Sequence, residues 1–489
     1  MTSTAITEAA AASAADPRQP RALWTLFRSE MWERFSYYGM RALLVLYLTK
    51  RLGYSRSDAL EVYAVYTGLV YFSPLVGGYI ADRVLGFRKA ILVGGTVMMF
   101  GQMAMTVPSL LHLGLGLLIT GNGFFKPNIS SLLGRQYREQ DSRRDAGFTY
   151  FYMGINIGAG LSPLVAGYLG ERVGWHWGFA SAAIGMAFGL AQFAIGQDRL
   201  GTSGLPPGRE GPARLLPKDW THVALLSVAS IPFVYAALAM LGALGSLWAL
   251  IPWGIKIALP FGGLAWILLS THRSGGRHDL ELVLSIVVLG LFNAFFWLGF
   301  EQAGGTMSLF AENLTDRVVF GWQIPASYFQ AINPFWIVLL GPVIAAFWTH
   351  NDRSPRGLPT PSKMAIGLIV LGLGFVLLAV AQQRAERLGP VGPLWLTGVF
   401  LLHTIGELCI SPVGLSMVTK VSPARMVGLM MGVWFLSFSA GNYFAGTAES
   451  LLAATKIPLY QFLVGSSIGA GVLLLAVTPL LRRWMHGRG

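Results

Sequence analysis

Apolar runs of about twenty residues, the length an α-helix needs to cross a bilayer, recur along this chain of 489 residues. Six begin near Leu23, Leu60, Ala90, Leu113, Gly147 and His176. A Gly- and Pro-rich polar connector, residues 196–218 with GTSGLPPGREGP at its centre, then reads as a linker. Two more runs, about Trp220 to Gly242 and Leu247 to Leu269, carry almost no charge apart from Lys256 and read as an inserted hairpin. Six further runs begin near Leu280, Trp322, Met364, Gly392, Met426 and Tyr460. The pattern predicts an all-α polytopic membrane protein with fourteen transmembrane helices. A six-helix bundle would span 21–195, a linker 196–218, a two-helix hairpin 219–271 and a second six-helix bundle 272–489. Residues 1–20 lack a basic stretch followed by an apolar core and read as a disordered tail, not a signal peptide.

Polar residues inside these runs carry the chemistry. In the first run, Glu30, Glu33, Arg34, Tyr37, Tyr38 and Arg41 fall at i, i+3, i+4, i+7, i+8 and i+11, one stripe of a helix. Charges at that depth cost several kcal/mol each unless they face water or one another. Lys126 in the fourth run and, with the hairpin left out of the count, Glu301 in the seventh span and Glu407 in the tenth complete the intramembrane set, four acids against three bases. Lys256, alone in the hairpin, reads as a lysine whose stem snorkels.

Composition supports the membrane reading: 54% of residues are hydrophobic and 12% charged, against ~25% charged for a soluble domain. The net charge of +13 comes from Lys and Arg scattered singly or in pairs, with no basic, aromatic-interleaved patch for nucleic acid. Placing both termini in the cytoplasm puts Lys and Arg on inside segments over outside ones by about three to one, as the positive-inside bias requires. The single Cys409 allows no disulfide, and His112, His176, His350 and His403 show no metal-ligand spacing. No Walker loop is present, so the expected drive is an ion gradient, with no cofactor and no metal. A faint parallel repeat, PLVGGYIADRVLGFRKAI from Pro74 and LLGPVIAAFWTHNDRSPRG from Leu339, stands between the second and third spans of each half. Two six-helix halves so related are the arrangement of the major facilitator superfamily.

Seven motifs in order resemble the proton-dependent oligopeptide transporter family. They are the ExxERFxYYG stripe from Glu30, GGYIAD from Gly77, GNGFFKPNISSLLG from Gly121, FYMGINIGA from Phe151, FEQAGGTMSLF from Phe300, QAINPFW from Gln330 and GELCISPVGLSMVTKVSP from Gly406. The likeness covers nearly the whole chain and includes the hairpin that bacterial members of the family show. It implies a proton-coupled symporter of the bacterial inner membrane that imports di- and tripeptides by alternating access, with the bilayer, protons and small peptides as partners and a monomer as the unit.

The resemblance also implies roles. Arg41 would pair with Glu301 and Lys126 with Glu407 as gates. Arg34, Lys126 and Tyr38 would take a peptide carboxylate; Glu407, Asn333 and Asn156 would take its amino end. Glu301 would carry the coupling proton, since burial favours the neutral acid and a guanidinium beside it favours the carboxylate. Glu30 and Glu33 either neutralise Arg34 and fix its rotamer or are themselves protonated during transport. Tyr71, Phe296, Trp297 and Trp434 are either pocket walls or ordinary packing, and Asn156 and Asn333 either ligand contacts or interhelical bonds. Gly77, Gly78, Gly158 to Gly160, Gly304 and Gly305 would allow close helix approach. Some animal members carry a histidine where this chain has Ala64, so coupling through that side chain is unavailable. The alternatives are another small anion or drug on the same scaffold, or a membrane peptidase, for which no nucleophile with its base and no metal cluster is assembled.

Overall fold

The computed structural model describes residues 18–137, 141, 143–206, 214–250, 253–354, 357–453 and 455–488, without the side chains of 145, 241–250, 253–261, 352 and 424. Most of the N-terminal tail, the centre of the linker and the Lys256 side chain therefore lie outside the described residues.

The first six helices are α1 Arg21–Lys50, α2 Arg56–Ile80, α3 Phe87–Met105, α4 Leu111–Gly134, α5 Arg144–Tyr168 and α6 Trp175–Ile195. Then come α7 Pro217–Leu250 and α8 Trp253–Phe300, and Gly276 at φ 64° divides α8 into the end of the hairpin and the start of the second half. A short turn, Glu301–Ala303, joins α8 to α9 Thr306–Asn313, and together they make one broken span. The remaining helices are α10 Ile332–Arg353, α11 Thr360–Leu388, α12 Leu394–Val421, α13 Val427–Leu452 and α14 Leu459–Trp484. Among the described residues this is the expected order of six, two and six spans, and the chain is a multi-pass membrane protein with the major facilitator architecture.

Eight of these segments are long and apolar enough to cross a membrane by length and composition. α1 is not among them, because its charged residues, Glu30, Glu33, Arg34 and Arg41 among them, defeat a hydropathy test while marking the helix that carries the chemistry.

Local signals set the helix ends. Ser55 and Asp58 form a reciprocal cap at the start of α2, with Asp58 N–H on Ser55 Oγ at 3.1 Å and Ser55 Oγ on Asp58 Oδ2 at 2.7 Å. At α7, Asp219 Oδ2 accepts from Leu216 N at 2.8 Å, with Pro217 in the first turn where a missing N–H costs nothing.

Two boundaries differ from the sequence pattern. The span expected to begin near Trp322 does not start there. Val318–Val319 and Trp322–Gln323 pair as a small antiparallel hairpin turning through Phe320 and Gly321, both at positive φ, and Ala326–Ala331 is a 3-10 turn leading into α10. In the inserted hairpin, α7 continues through the expected loop at 243–246 as far as Leu250, since that stretch holds neither proline nor charge.

The chain forms two compact units. The first comprises Met1–Tyr38, Ser73–Ser162 and Phe179–Phe233. Its helices approach closely at glycines: a Cβ on Gly77 would lie 2.1 Å from Gly123 O, and one on Gly158 2.1 Å from Met31 O. In the same unit the first part of the linker is tied down. Arg88 Nε donates to Ser203 O at 2.7 Å, and Lys89 Nζ lies 3.5 Å from Asp219 Oδ1.

The second unit comprises Gly39–Phe72, Pro163–Gly178 and Val234–Gly489. It joins the later part of α1, the earlier part of α2 and the α5–α6 turn to helices of the second half. Lys50 Nζ meets Glu312 Oε1 at 2.7 Å, Arg56 Nε meets Glu449 Oε1 at 2.7 Å, and Ser439 Oγ donates to Gly68 O at 2.7 Å. Glu171 caps the turn before α10 by accepting from Ala326 N and Ser327 N at 3.0 and 2.9 Å.

Candidate functional site

In the first unit the acid–base stripe of α1 is buried. Glu30, Glu33 and Arg34 are exposed by only 2, 0 and 3%. Arg34 Nη2 donates to Glu33 Oε1 at 2.7 Å, its Nε also donates to Glu33 Oε2, and Nε lies 3.2 Å from Glu30 Oε1. The two acids are not equivalent. Glu33 grips the guanidinium with both oxygens, whereas Glu30 leaves Oε2 buried without a hydrogen-bond partner among the described residues. The Arg34 guanidinium stands 5.2 Å from the Tyr37 ring centre, and Tyr37 meets Tyr38 edge-on at 5.1 Å. Lys126, half-buried on α4, acts electrostatically on Glu30. Asn156, on α5, donates back to Tyr152 O of its own helix at 2.9 Å. A fixed guanidinium with its planar fork, a second cation and a hydroxyl suit a carboxylate ligand.

In the second unit Arg41 and Glu301 meet directly, Nη2 to Oε2 at 2.7 Å. Tyr63 closes the group: its hydroxyl accepts from Arg41 Nε at 2.8 Å and donates to Glu301 Oε2 at 3.1 Å. All three are buried, at 6% exposure or less. A buried ion pair stands only if its remaining donors and lone pairs are satisfied, and Tyr63 supplies that link. Gly304 makes the room for it, and this differs from the helix-approach role expected for that glycine. A Cβ there would lie 1.9 Å from the Tyr63 hydroxyl and 3.0 Å from Arg41 Nε.

On α10 and α12, Asn333 Nδ2 donates to Glu407 Oε2 at 2.9 Å and to Thr404 Oγ1 at 3.0 Å. Both Asn333 and Glu407 are half-buried, so this carboxylate is held by an amide and remains partly open. The Arg41–Glu301 pair acts on it electrostatically.

Three aromatics meet at Phe438 on α13. Tyr71 stacks on it at 5.8 Å and the Trp297 ring lies 4.7 Å away, tilted. Trp297 is oriented by Nε1 donating to Asn293 Oδ1 at 3.2 Å. Trp434 is more enclosed than Trp297 and Phe438. It is 1% exposed, its ring fills the space that a side chain at Gly414 would need, and its Nε1 has no partner among the described residues. Phe296, fully buried and stacked on Phe300, is likewise core.

Sequence reasoning named the charges and Gly304, and missed Tyr63, Thr404 and Phe438. Tyr63 precedes Ala64, the position inspected for a histidine, and nothing in its type separates it from a packing tyrosine.

Comparison with known proteins places these clusters in context. A family profile described as the POT family matches residues 88–207 and 275–463. A peptide transporter of Yersinia enterocolitica, YePEPT, is 34% identical and covers 96% of each chain. A di-/tripeptide transporter of Lactococcus lactis is 33% identical over 95% of this chain and 96% of its own. The crystal structure of peptide transporter POT in complex with sulfate superposes with a TM-score of 0.80 at 34% identity, over 98% of this chain and 99% of that one. With more than half its length matched by the profile and near-complete relatives above 30% identity, the chain belongs to the POT family of membrane transporters.

Proposed function

We propose that this transporter carries di- and tripeptides into a bacterial cell together with protons, by alternating access across the inner membrane, with both termini cytoplasmic. The observation that carries the reading is the Arg34 guanidinium, buried and gripped by Glu33 with Glu30 beside it. Such a cation is preorganised to receive a mobile carboxylate at little cost in ordering. Arg34, Lys126 and Tyr38 take the C-terminal carboxylate of the peptide; Glu407, Asn333 and Asn156 take its ammonium end. Tyr71, Trp297 and Phe438 accept side chains through ring faces, which leave no polar partner unpaired when the side chain changes.

Two carboxylates handle protons. Glu301, bonded to Arg41 and Tyr63 here, is the residue we read as the carrier of the coupling proton. Glu30, with one oxygen lacking a donor, is the member of the α1 pair suited to carry O–H on that atom, while Glu33 keeps Arg34 in place. Lys126 pairs with Glu407 when the inner gate closes. The contacts of Arg41 with Glu301, Lys50 with Glu312 and Arg56 with Glu449 lie at the end of α1 and α2 that faces outward in this orientation, and we read them as the closed outer gate. No cofactor or metal is required, since the drive is the proton gradient.

Uptake of a labelled dipeptide into proteoliposomes, with and without an imposed pH gradient, tests the reading. Gradient-dependent accumulation that unlabelled di- and tripeptides compete away supports it; transport indifferent to pH, or to peptides, refutes it.

A further inference from the structure

At the end of the second unit that carries its C-terminus, α10, α11 and α12 enclose a cavity of about 260 Å³. That is below the ~300–1,000 Å³ of pockets for drug-sized ligands, so the space suits a small group. Its charged lining is basic throughout: Lys363 of α11, Lys420 of α12 and Arg488 of the C-terminal turn, with no acid among the described lining residues.

Two further features point to an anion. Thr360 opens α11 at the cavity, and the helix has no side-chain cap there, so a positive dipole end adds to the field. The chain also bends to bring Arg488 in. His486 and Gly487 both take positive φ, 47° and 76°, and His486 Nε2 is anchored 2.8 Å from Glu281 Oε2. A non-glycine residue in that conformation is uncommon and is kept where its surroundings hold it.

We propose that this cavity binds a phosphate group, with Lys420 and Arg488 as its charge partners, Lys363 behind them and the Ser416 hydroxyl as a donor. The chemistry is common to an anionic phospholipid head group and to free phosphate. All three cations lie on segments assigned to the cytoplasmic side, where basic pockets between helices receive lipid head groups. The site is separate from the peptide-binding residues and needs none of them.

The test follows the thermal unfolding midpoint of the full-length protein in neutral detergent on titration with phosphatidylglycerol, phosphatidylcholine or inorganic phosphate. The same titrations are run on Lys420→Gln/Arg488→Gln, two exposed positions whose change leaves the core intact. Phosphatidylglycerol is expected to raise the midpoint, phosphatidylcholine is not, and the variant should need roughly thirtyfold more phosphatidylglycerol for the same shift. A shift with inorganic phosphate alone assigns the site to the free anion; a shift with phosphatidylglycerol alone assigns it to the lipid. Equal responses to the two lipids, no response to either phosphate source, or an undiminished response in the variant overturns the proposal. Native mass spectrometry of both proteins supplies a second readout that does not depend on unfolding: retention of a phosphatidylglycerol adduct by the variant equal to that of the native protein also overturns it.

Discussion

The α-carbon of Gly304 faces the hydroxyl of Tyr63 so closely that a single added carbon would stand 1.9 Å from the phenolic oxygen. Gly304→Ala must therefore move Tyr63 out of its bridge between Arg41 and Glu301. Overpacking of this kind costs ~1–3 kcal/mol. Proton-driven dipeptide uptake should fall by about tenfold, while the purified protein remains folded and monodisperse. Undiminished uptake would mean that the bridge has no part in the cycle.

Glu301→Gln keeps the shape of the side chain and removes its exchangeable charge. Accumulation driven by a pH gradient should vanish in proteoliposomes, whereas counterflow exchange of labelled for unlabelled dipeptide should persist. Intact accumulation would remove Glu301 from coupling.

Arg34→Lys keeps the charge and loses the fork that meets Glu33 and a peptide carboxylate with paired bonds. The KM for a dipeptide should rise about tenfold or more, corresponding to ~1.5–3 kcal/mol for a lost charge-assisted bond. A variant with unchanged KM would argue that the carboxylate is received elsewhere.

Phe438 and Trp434 should separate in competition assays. Phe438→Ala removes the ring that both Tyr71 and Trp297 meet and should alter the ranking of dipeptides that differ in side chain. Trp434→Phe changes a ring sealed against Gly414 whose N–H has no partner among the described residues, and should leave that ranking as it was. The reverse result would return Trp434 to the pocket wall.

Much of this was legible before any coordinates. Charges in an apolar run stand out because a membrane helix keeps few of them, and the 3.6-residue repeat alone puts Glu30, Glu33, Arg34 and Arg41 on one face. The Arg41–Glu301 contact was expected only through likeness to a family, since no local pattern ties residues so far apart. Tyr63 gave no signal because a tyrosine in a helix is equally a packing residue, and its role appears only when Gly304 is seen against it. The start of α10 was misplaced because Ile324, Ala326 and Phe329 are apolar and extend the run backwards. The hairpin before it turns at Phe320 rather than at the Asn or Asp usual in such turns. Trp434 was assigned by type and neighbourhood, which do not reveal how completely a ring is enclosed.

The bond between Arg41 and Glu301 spans 260 positions of sequence, whereas that between Arg41 and Tyr63 spans 22. At ~5–20 residues per second of synthesis, the first helix waits roughly ten to fifty seconds for its counter-ion, but only a few seconds for the phenol. Tyr63 is thus in the chain long before the carboxylate that it links to Arg41 has been made.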